Sequence, residues 1–572
     1  MTGAIRQAAV AADAESLAGL VLARSLADPN RTVVRVKRLG VWKETNGADF
    51  SRAVADCAAG FLELGLRPGE TIGILARPCP EWFVADLAVQ SAGLRSAGFH
   101  AEKAPGELAD LVRRCATRLL VVDTLATLEA ALDLCDVVPG LDRIVCLDRA
   151  AVEEFDDARL IAFDDLLARG AASSRRQDAP WSGGRRGDLA AIIPTSGVTA
   201  PSRGATFTNA ALCAAVRIAG SIAEMRPGDE RLSLMSASHA FERVFGFYAG
   251  LAAGVIVNFP ESSETALADL RELQPHIVAA PPAFWSEIAR GLARNSAAAT
   301  RLQRGMFERA MRAGGALDQF VLRKVRRDLG LSRTRIALSA GAPLAPHIRE
   351  RLAALGLAIS DVYALAEAAG PVAVAANGSR MFAPANGVDV DIGAKGELRL
   401  RAASAFLGFA GDPPRADEWI HAGDFAEASA GPTFRLGDAA SLAVAGAPTG
   451  FVRGIEDALA ASPYIASSIV AGERPDQLRA FLLADFDNLV SYAQKQAIPF
   501  THYKSLVEAP QVVALYEQEL ARIGGALAPA RIVSFTLAHR NVSSTDPEMG
   551  PASNLRRRIV MQTFSVRAGQ GL

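Results

Sequence analysis

"IIPTSGVTAPSRGATFTNAAL" (residues 192–212) connects an apolar run, which begins at Leu189, to a pattern typical of a helix. The connection is a loop of small and hydroxyl-bearing residues that also carries a cation: Thr195, Ser196, Gly197, Thr199 and Arg203. Hydroxyl groups donate hydrogen bonds, glycine lets the backbone approach a ligand closely, and a guanidinium adds a fixed positive charge. The loop can therefore surround phosphate oxygens, although an ordinary polar turn between a strand and a helix has a similar composition.

Short apolar runs of the same kind recur along the chain beside longer helical patterns. They are "ETIGILA" (70–76), "RLLVVD" (118–123), "DRIVCLD" (142–148), "HIVAAPPAFW" (276–285) and "RIALSAG" (335–341). Because strand and helix alternate at this spacing, the sequence predicts an α/β fold with largely parallel sheets. From about Gly387 the pattern changes to period two, as in "GELRLRAASAFLGFAGDP" (396–413), which predicts a small antiparallel, barrel-like subdomain.

The chain of 572 residues is too long for one hydrophobic core, so we expect at least two domains. An Ala/Gly-rich connector over 436–447 predicts a boundary, which gives a large body (1–436) and a smaller α+β C-terminal lid (437–572). The lid contains a helical pattern, "GIEDALAAS" (454–462), followed by two strand patterns, "SSIVAG" and "LRAFLLAD".

Composition excludes several classes of function. The formal net charge of −1 provides no basic field for nucleic acid and no polybasic membrane signal. No uncharged apolar run approaches the ~18 residues of a spanning helix, so any membrane contact would be peripheral. Six cysteines, none spaced as C-x-x-C, suit small apolar side chains in a reducing cytoplasm. Nothing in the sequence predicts an oligomeric state.

The loop resembles the phosphate-binding motif Y-T-S-G-T-T-G-x-P-K-G of the adenylate-forming superfamily. Further motifs follow in the order found in its long-chain acyl-CoA synthetase branch. They are "LMSASHAFERVFGFYAGLAAG" (234–254, similar to H-x-x-E-R-V), "ALSAGAPLAPHI" (337–348, S-G-G-A-P), "VYALAEAAG" (362–370, Y-G-L-T-E-T-S-G) and "WIHAGDFA" (419–426, W-x-x-T-G-D). Each motif alone is a weak signal, whereas several in the correct order are specific.

The resemblance implies an ATP-dependent ligase for a carboxylic acid, in this branch a fatty acid. Such enzymes first form acyl-AMP and pyrophosphate, and a thiol, usually that of coenzyme A, then displaces AMP. The first step joins two anions, so Mg²⁺ and hydrogen-bond donors must stabilise the accumulating charge.

The same resemblance assigns roles to residues of this chain. The residues assigned to the β- and γ-phosphates are the five loop residues Thr195, Ser196, Gly197, Thr199 and Arg203, with Arg203 in place of lysine. The other assignments are Glu367 to Mg²⁺, Tyr363 to adenine, Gly341, Ala342 and Pro343 to the adenine-side loop, Asp424 to the ribose hydroxyls, and His239 to a place between the phosphate and acyl sites. The structural alternatives are a solvated carboxylate for Glu367, an interior ring for Tyr363, a turn carboxylate for Asp424 and a structural histidine for His239.

Two further groups in the 234–254 segment have open interpretations. Glu242 and Arg243 suit a structural ion pair better than catalysis. The nearby aromatic residues could line an acyl tunnel, although aromatic residues at such spacing are more often plain core: Phe241, Phe245, Phe247, Tyr248, Phe284 and Trp285.

The chain departs from the family pattern at informative positions. In "GPASNLRRRIV" (550–560), Asn554 stands where the family has its catalytic lysine, and Ala366 replaces a threonine that donates to the α-phosphate. The expected G-R-x-K-D hinge is not recognisable, because Gly437 falls at the ribose-binding arginine and Ala440 at the hinge aspartate; Arg435, two residues away, could substitute. Loss of one transition-state donor typically costs ~100- to 1000-fold in rate.

Three hypotheses follow from this mixture of retained and lost residues. The first is a ligase of the long-chain acyl-CoA synthetase type, impaired or specialised, with Thr199, His239, Glu367 and Asn554 at its catalytic positions. The second is a non-catalytic relative that binds nucleotide or acyl ligands as a sensor or scaffold. The third is an acyl-transfer protein that receives preformed acyl-AMP.

Overall fold

A computed structural model shows a mixed α/β protein with three β-sheets. The structure describes residues 14–101, 103–176, 184–196, 201–312, 316–376, 379–429, 431–437, 444–445, 447, 451–524, 530–540, 542, 546, 555, 557 and 559–560. No helix within these ranges is both long enough and apolar enough to span a bilayer.

The first sheet has eight strands in the described residues and is parallel at its centre. In spatial order they are β19 (Gly408–Phe409), β9 (Gly204–Thr208), β8 (Leu189–Pro194), β4 (Arg95–Gly98), β3 (Thr71–Leu75), β5 (Thr117–Val122), β6 (Arg143–Cys146) and β7 (Leu160–Ala162). All pairs from β8 to β7 are parallel, whereas β8–β9 and β9–β19 are antiparallel. The apolar runs at 70–76, 118–123 and 142–148 are thus strands, as predicted.

The second sheet joins thirteen described strands. In spatial order they are β17 (Val388–Ile392), β18 (Glu397–Ala402), β20 (Ile420–Ala428), β21 (Phe434–Leu436), β16 (Met381–Pro384), β15 (Gly370–Ala375), β14 (Ile359–Leu365), β13 (Ile336–Ala340), β12 (Ile277–Ala280), β10 (Glu230–Leu232), β11 (Ile256–Phe259), β1 (Thr32–Arg38) and β2 (Val41–Asn46). Pairing is parallel from β14 to β1 and antiparallel from β14 to β17. The antiparallel unit predicted from Gly387 onwards is present, and its strands continue one edge of the large sheet.

The C-terminal part forms a third sheet with its own core. Its strands are β22 (Ile465–Ala471), β23 (Leu478–Ala484) and β24 (Ile532–Leu537), of which β22–β23 is antiparallel and β23–β24 parallel. A buried apolar cluster runs from Val444 to Ala530, while the main cluster of the body runs from Leu17 to Phe434. The predicted combination of a large body and a smaller α+β unit is confirmed.

Helices cover the sheets. In the body they are Leu17–Ala27, Gly47–Glu63, Pro80–Ser91, Pro105–Arg114, Leu125–Val137, Arg149–Glu153, Phe163–Ala171, Asn209–Ile222, a π-helix at Glu242–Ala249, Gly250–Ala253, Ala266–Leu273, Pro282–Ala298, Arg301–Ala310, Ala316–Asp328, Pro346–Ala354 and a 3₁₀ turn at Ala366–Ala368; in the C-terminal part they are Phe451–Leu459, Phe486–Lys495, Tyr503–Val507 and Pro510–Gly524. The chain after strand β12 forms three successive helices, and Thr300 caps the second by accepting a bond from the Gln303 backbone N–H.

The opening segment contains a strand that the sequence pattern did not predict. The loop after β8 returns as the antiparallel strand β9, and only then does the helix Asn209–Ile222 begin. The sequence "GATFT" explains the strand, because β-branched and aromatic residues favour pleated backbone. Thr208 then starts the helix, because its side chain accepts the backbone N–H of Ala211. The candidate phosphate loop is therefore a hairpin loop rather than a strand-to-helix turn.

Buried ion pairs hold the π-helix between the two large sheets. Glu242 accepts two bonds of 2.8 Å from Arg231, and Arg243 pairs with Asp86; these four side chains are almost completely buried. Arg243 also donates to the carbonyl oxygen of Ile192 at 3.1 Å, which fixes the strand that leads into the loop. The structural interpretation of the E-R pair is thus confirmed, although each residue pairs with a different element.

All six cysteines lie within the described residues and are unpaired by disulfides: Cys57, Cys79, Cys115, Cys135, Cys146 and Cys213. Burial raises the pKa of each of these thiols, to about 12 at Cys115 and to about 11 at Cys135, Cys146 and Cys213. Their predicted role as small apolar side chains agrees with this environment.

Candidate active site

The candidate phosphate loop is closed at its neck by three hydrogen bonds. The backbone N–H of Thr195 donates to the carbonyl of Arg203 at 2.8 Å, and the Thr195 hydroxyl oxygen accepts the Arg203 backbone N–H at 3.0 Å. The Ser202 hydroxyl donates to the Thr195 carbonyl at 2.7 Å. The backbone and side chain of Thr195 therefore stabilise the shape of the loop. Ser196 is exposed and lies beyond these hydrogen bonds. The predicted contacts Gly197 and Thr199 lie outside the described residues.

Arg203, the predicted phosphate cation, has partners in the ligand-free protein. Its guanidinium forms an ion pair with Asp412 and lies 3.7 Å from the centre of the Phe409 ring. Almost half of the Arg203 side chain remains exposed, so the pair is accessible to solvent. A phosphate group would therefore have to compete with one carboxylate for this cation.

Lys103 is a second cation near the loop, which it supports through Glu107. This lysine was not identified from the sequence. The ammonium of Lys103 is fully buried and lies 3.0 Å from the carboxylate of Glu107. The same carboxylate oxygen accepts the backbone N–H of Ser202 at 3.3 Å. A lysine four residues before a glutamate in "KAPGE" was the available signal, because that spacing favours a pair at a helix start.

His239 lies in the buried segment before the π-helix. Its Nδ1 accepts the backbone N–H of Phe241 at 3.3 Å. Burial lowers the pKa of His239 to about 4, so its imidazole is neutral at physiological pH. In this state the side chain can contribute hydrogen bonds to a neighbouring ligand but no positive charge. The aromatic residues that follow pack against one another, as in the Phe241–Phe245 stack at 5.0 Å.

Glu367 occupies a sharp turn at the end of β14. The turn packs against β8, and its backbone bends through Ala369 and Gly370, which have φ values of 55° and 123°. Burial raises the pKa of Glu367, the negative charge of Asp424 raises it further, and Arg203 opposes both. Among the described residues, no cation lies within ion-pair distance of this carboxylate. Such a carboxylate is costly to keep charged and gains from a bound cation.

Tyr363 and Asp424 form one unit beside Glu367. The Tyr363 hydroxyl donates to Asp424 at 2.7 Å, and its ring meets Phe382 and Phe434 edge-on at 6.3 and 6.4 Å. Burial raises the pKa of Asp424, against the Tyr363 hydrogen bond and the positive charge of Arg453. The Tyr363 ring is only 9 % exposed, so adenine could stack on it only through a small open surface.

The predicted adenine-side loop follows β13. Gly341 adopts a φ of 96°, which favours glycine, and Ala342 and Pro343 after it are half-buried. The next residue, Leu344, donates its backbone N–H to Asp361 at 3.4 Å. The loop thus has a defined shape at the carboxyl end of a parallel strand, where ligands of open α/β sheets commonly bind.

Arg435, the predicted ribose contact, and a second arginine, Arg453, lie on different elements. Arg435 is exposed on β21 and alternates with Phe434, so it points away from the face that contacts Tyr363. Arg453, from the helix Phe451–Leu459, instead donates to the carbonyl of Pro343 at 3.4 Å. Asn554, the other predicted residue of the C-terminal part, lies outside the described residues.

Glu367 is the candidate metal ligand of this site. In the described part of the chain, no three His, Cys, Asp or Glu side chains converge as a complete ligand set. Glu367 nevertheless fits one position of a magnesium site, because it is a hard oxygen donor with no ion-pair partner among the described residues. Mg²⁺ typically takes one or two carboxylates and completes its shell with substrate phosphates and water.

Comparison with known proteins identifies the family. The model of the AMP-binding enzyme family matches residues 23–401, which include the loop, the Glu367 turn and the adenine-side loop. The chain belongs to the AMP-binding enzyme family. This finding confirms the resemblance drawn from the ordered motifs.

The relatives reported next are distant in sequence but cover most of the chain. The long-chain-fatty-acid–CoA ligase FadD15 of Mycobacterium bovis is 22 % identical over 96 % of both chains. The human long-chain-fatty-acid–CoA ligase ACSBG1 is 22 % identical over 92 % of this chain and 81 % of its own. The adenylation domain of a carboxylic acid reductase from Segniliparus rugosus, solved with AMP and a co-purified carboxylic acid, superposes with a TM-score of 0.79 at 18 % identity, covering 99 % of this chain and 97 % of that one. This likeness to a solved structure shows the fold.

Proposed function

We propose that this protein is an ATP-dependent acid–thiol ligase that activates a fatty acid through acyl-AMP and transfers it to coenzyme A. The observation that carries the proposal is the half-buried carboxylate of Glu367, which has no ion-pair partner among the described residues and lies beside the hairpin loop and the Tyr363–Asp424 pair. The division into a body (1–436) and a lid (437–572) is part of the proposal, and the separate apolar cores support it.

Each group has a task in this mechanism. The Thr195–Arg203 neck would place Ser196 beside the triphosphate, and Arg203 would move from Asp412 to the phosphate oxygens. Asp424, held by Tyr363, accepts hydrogen bonds from the ribose hydroxyls. Glu367 would hold Mg²⁺, which when bound supplies positive charge to the phosphates. His239, which is neutral because burial lowers its pKa, would contribute hydrogen bonds but no positive charge to the bound substrates.

The replacement at position 554 sets the expected rate. An asparagine there donates a hydrogen bond but carries no charge toward the carboxylate and the α-phosphate. We therefore infer that the protein adenylates its acid slowly or is specialised for a narrow range of carboxylic acids. Fatty acids are proposed as substrates because of the relatives' stated activities.

The test is pyrophosphate release from Mg-ATP in the presence of a panel of carboxylic acids that includes long-chain fatty acids. We expect release that depends on acid and falls by about 100-fold or more in Glu367→Ala. Glu308→Ala is the matched control, because Glu308 is an exposed carboxylate on the helix Arg301–Ala310 and should keep wild-type release.

Two outcomes would replace this proposal. Calorimetric binding of ATP without pyrophosphate release for any acid would establish a nucleotide-binding protein without ligase activity. Formation of acyl-CoA from synthetic acyl-AMP, but not from ATP and acid, would establish the acyl-transfer role.

A further inference from the structure

Helix Phe451–Leu459 of the C-terminal part presents two different faces. Val452, Ile455 and Leu459 are buried in the apolar core of that part. Arg453 and Asp457, one helical turn apart, point instead to the body. The helix is therefore built to pack inward on one side and to dock on the other.

The docking face makes specific contacts. Asp457 lies 3.2 Å from the guanidinium of Arg380. Elsewhere in the C-terminal part, Asp485, which precedes the helix Phe486–Lys495, lies 3.6 Å from Arg290 of the body. Arg453 donates to the carbonyl oxygen of Pro343 at 3.4 Å. These contacts fix the helix over the loop that follows β13.

Arg453 is also close enough to the Tyr363–Asp424 unit for its charge to act on Asp424. This positive charge opposes the burial-driven rise in the pKa of Asp424 and, after Arg349, the similar rise in the pKa of Asp361. A guanidinium has five N–H donors in a planar fork, so it can serve the Pro343 carbonyl and a ligand together. A carboxylate and a guanidinium on either side of a diol offer an acceptor and donors to its two hydroxyl groups.

We propose that Arg453 is a nucleotide-positioning residue that binds the ribose hydroxyls from the C-terminal side, opposite Asp424. This inference rests on the proposed function and deepens it. It also means that ribose binding bridges the two parts of the chain, so a nucleotide with both hydroxyl groups favours the docked arrangement.

The experiment measures the Kd of Mg-ATP and of Mg-2′,3′-dideoxy-ATP by calorimetry on the full chain. In the wild type, loss of the hydroxyl groups should weaken binding by about 10-fold or more, because hydrogen bonds to charged groups are lost. Arg453→Gln should weaken ATP by a similar factor but leave dideoxy-ATP nearly unchanged. Arg453→Lys keeps the charge without the fork and should fall between them.

Arg380→Gln is the matched control, since it removes the docking pair with Asp457 but no donor near Asp424. It should retain the wild-type difference between the two nucleotides. Equal weakening of both nucleotides in Arg453→Gln, or no weakening of either, would overturn the ribose assignment while leaving the proposed function intact. Absence of ATP binding in the wild type would overturn both.

Discussion

The body contains two groups of charged side chains that differ in burial and in how completely they are paired. Around the π-helix, Arg231–Glu242 and Arg243–Asp86 are closed pairs with almost no exposure. Beside the hairpin loop, Glu367 and Asp424 are two carboxylates near each other, and burial raises the pKa of both. The first group satisfies its charges within the fold, and the second does so only in part.

The difference separates architecture from function. Closed pairs make the fold specific, and no counter-charge is left for a ligand. Gly246 illustrates their tightness, because a Cβ there would lie 2.6 Å from Arg231. Carboxylates without a full set of partners destabilise the free protein and gain most from a cation or a hydroxyl donor. Charged groups that destabilise the free protein in this way are usually found at functional sites.

The largest expected effect is on the closed group. Asp86→Asn leaves Arg243 buried without a counter-charge and should lower the free energy of unfolding by about 3–5 kcal/mol. Chemical denaturation measures this change. Asp389→Asn breaks the exposed pair with Arg401 and should cost under ~1 kcal/mol. A similar loss of unfolding free energy in both variants would contradict the distinction between buried and exposed ion pairs.

A positive charge at position 554 should change the rate of adenylation. Asn554→Lys returns a positive charge to the position where the family has its lysine, and pyrophosphate release should rise by about 100-fold. Asn554→Gln, which adds length without charge, is the control and should stay near the wild-type rate. An unchanged rate in the lysine variant would show that charge at this position does not limit adenylation.

Glu367→Gln should change the stability of the ligand-free protein in a way that depends on pH. Because burial raises the folded-state pKa of Glu367, its contribution to stability is complete below the unfolded-state pKa and is lost as pH rises through the folded value. At pH 8 the glutamine variant should therefore be more stable than the wild type without ligand, whereas at pH 4 this gain should vanish. Thermal unfolding at both pH values measures this, and an equal gain at both would count against the ionised carboxylate as the cause.

The smallest effect concerns Arg203. Asp412→Asn frees this guanidinium from a pair that is partly exposed and worth under ~1 kcal/mol, so the Kd of Mg-ATP should fall by only about two- to five-fold. Calorimetry measures it, with Asp417→Asn as a control in the same segment. Weaker ATP binding in Asp412→Asn would indicate that Asp412 itself supports the loop.

Local pattern predicted most of the fold but little of the charge geometry. Apolar runs such as 118–123 became strands because burial on both faces of a parallel sheet needs them, and the period-two pattern after Gly387 became antiparallel strands. Strand β9 was missed because five residues between a polar loop and a helix give too short a signal.

The candidate site divides in the same way. The sequence motifs singled out Glu367, Tyr363 and Asp424, and the structure places these three residues near one another. The Asp412 partner of Arg203 is 209 residues away in sequence, and Arg453 reaches Pro343 across 110 residues. Contacts of such separation depend on tertiary packing, which single-sequence patterns do not contain.

The environment of the six cysteines limits where an activated acyl group can go. A sulfur atom attacks a mixed anhydride efficiently only as thiolate, and a pKa of about 11 or 12 leaves almost none of it at neutral pH. These buried thiols are therefore poor acceptors for an activated acyl group. Reagents that modify exposed thiols should leave the folded chain largely unlabelled.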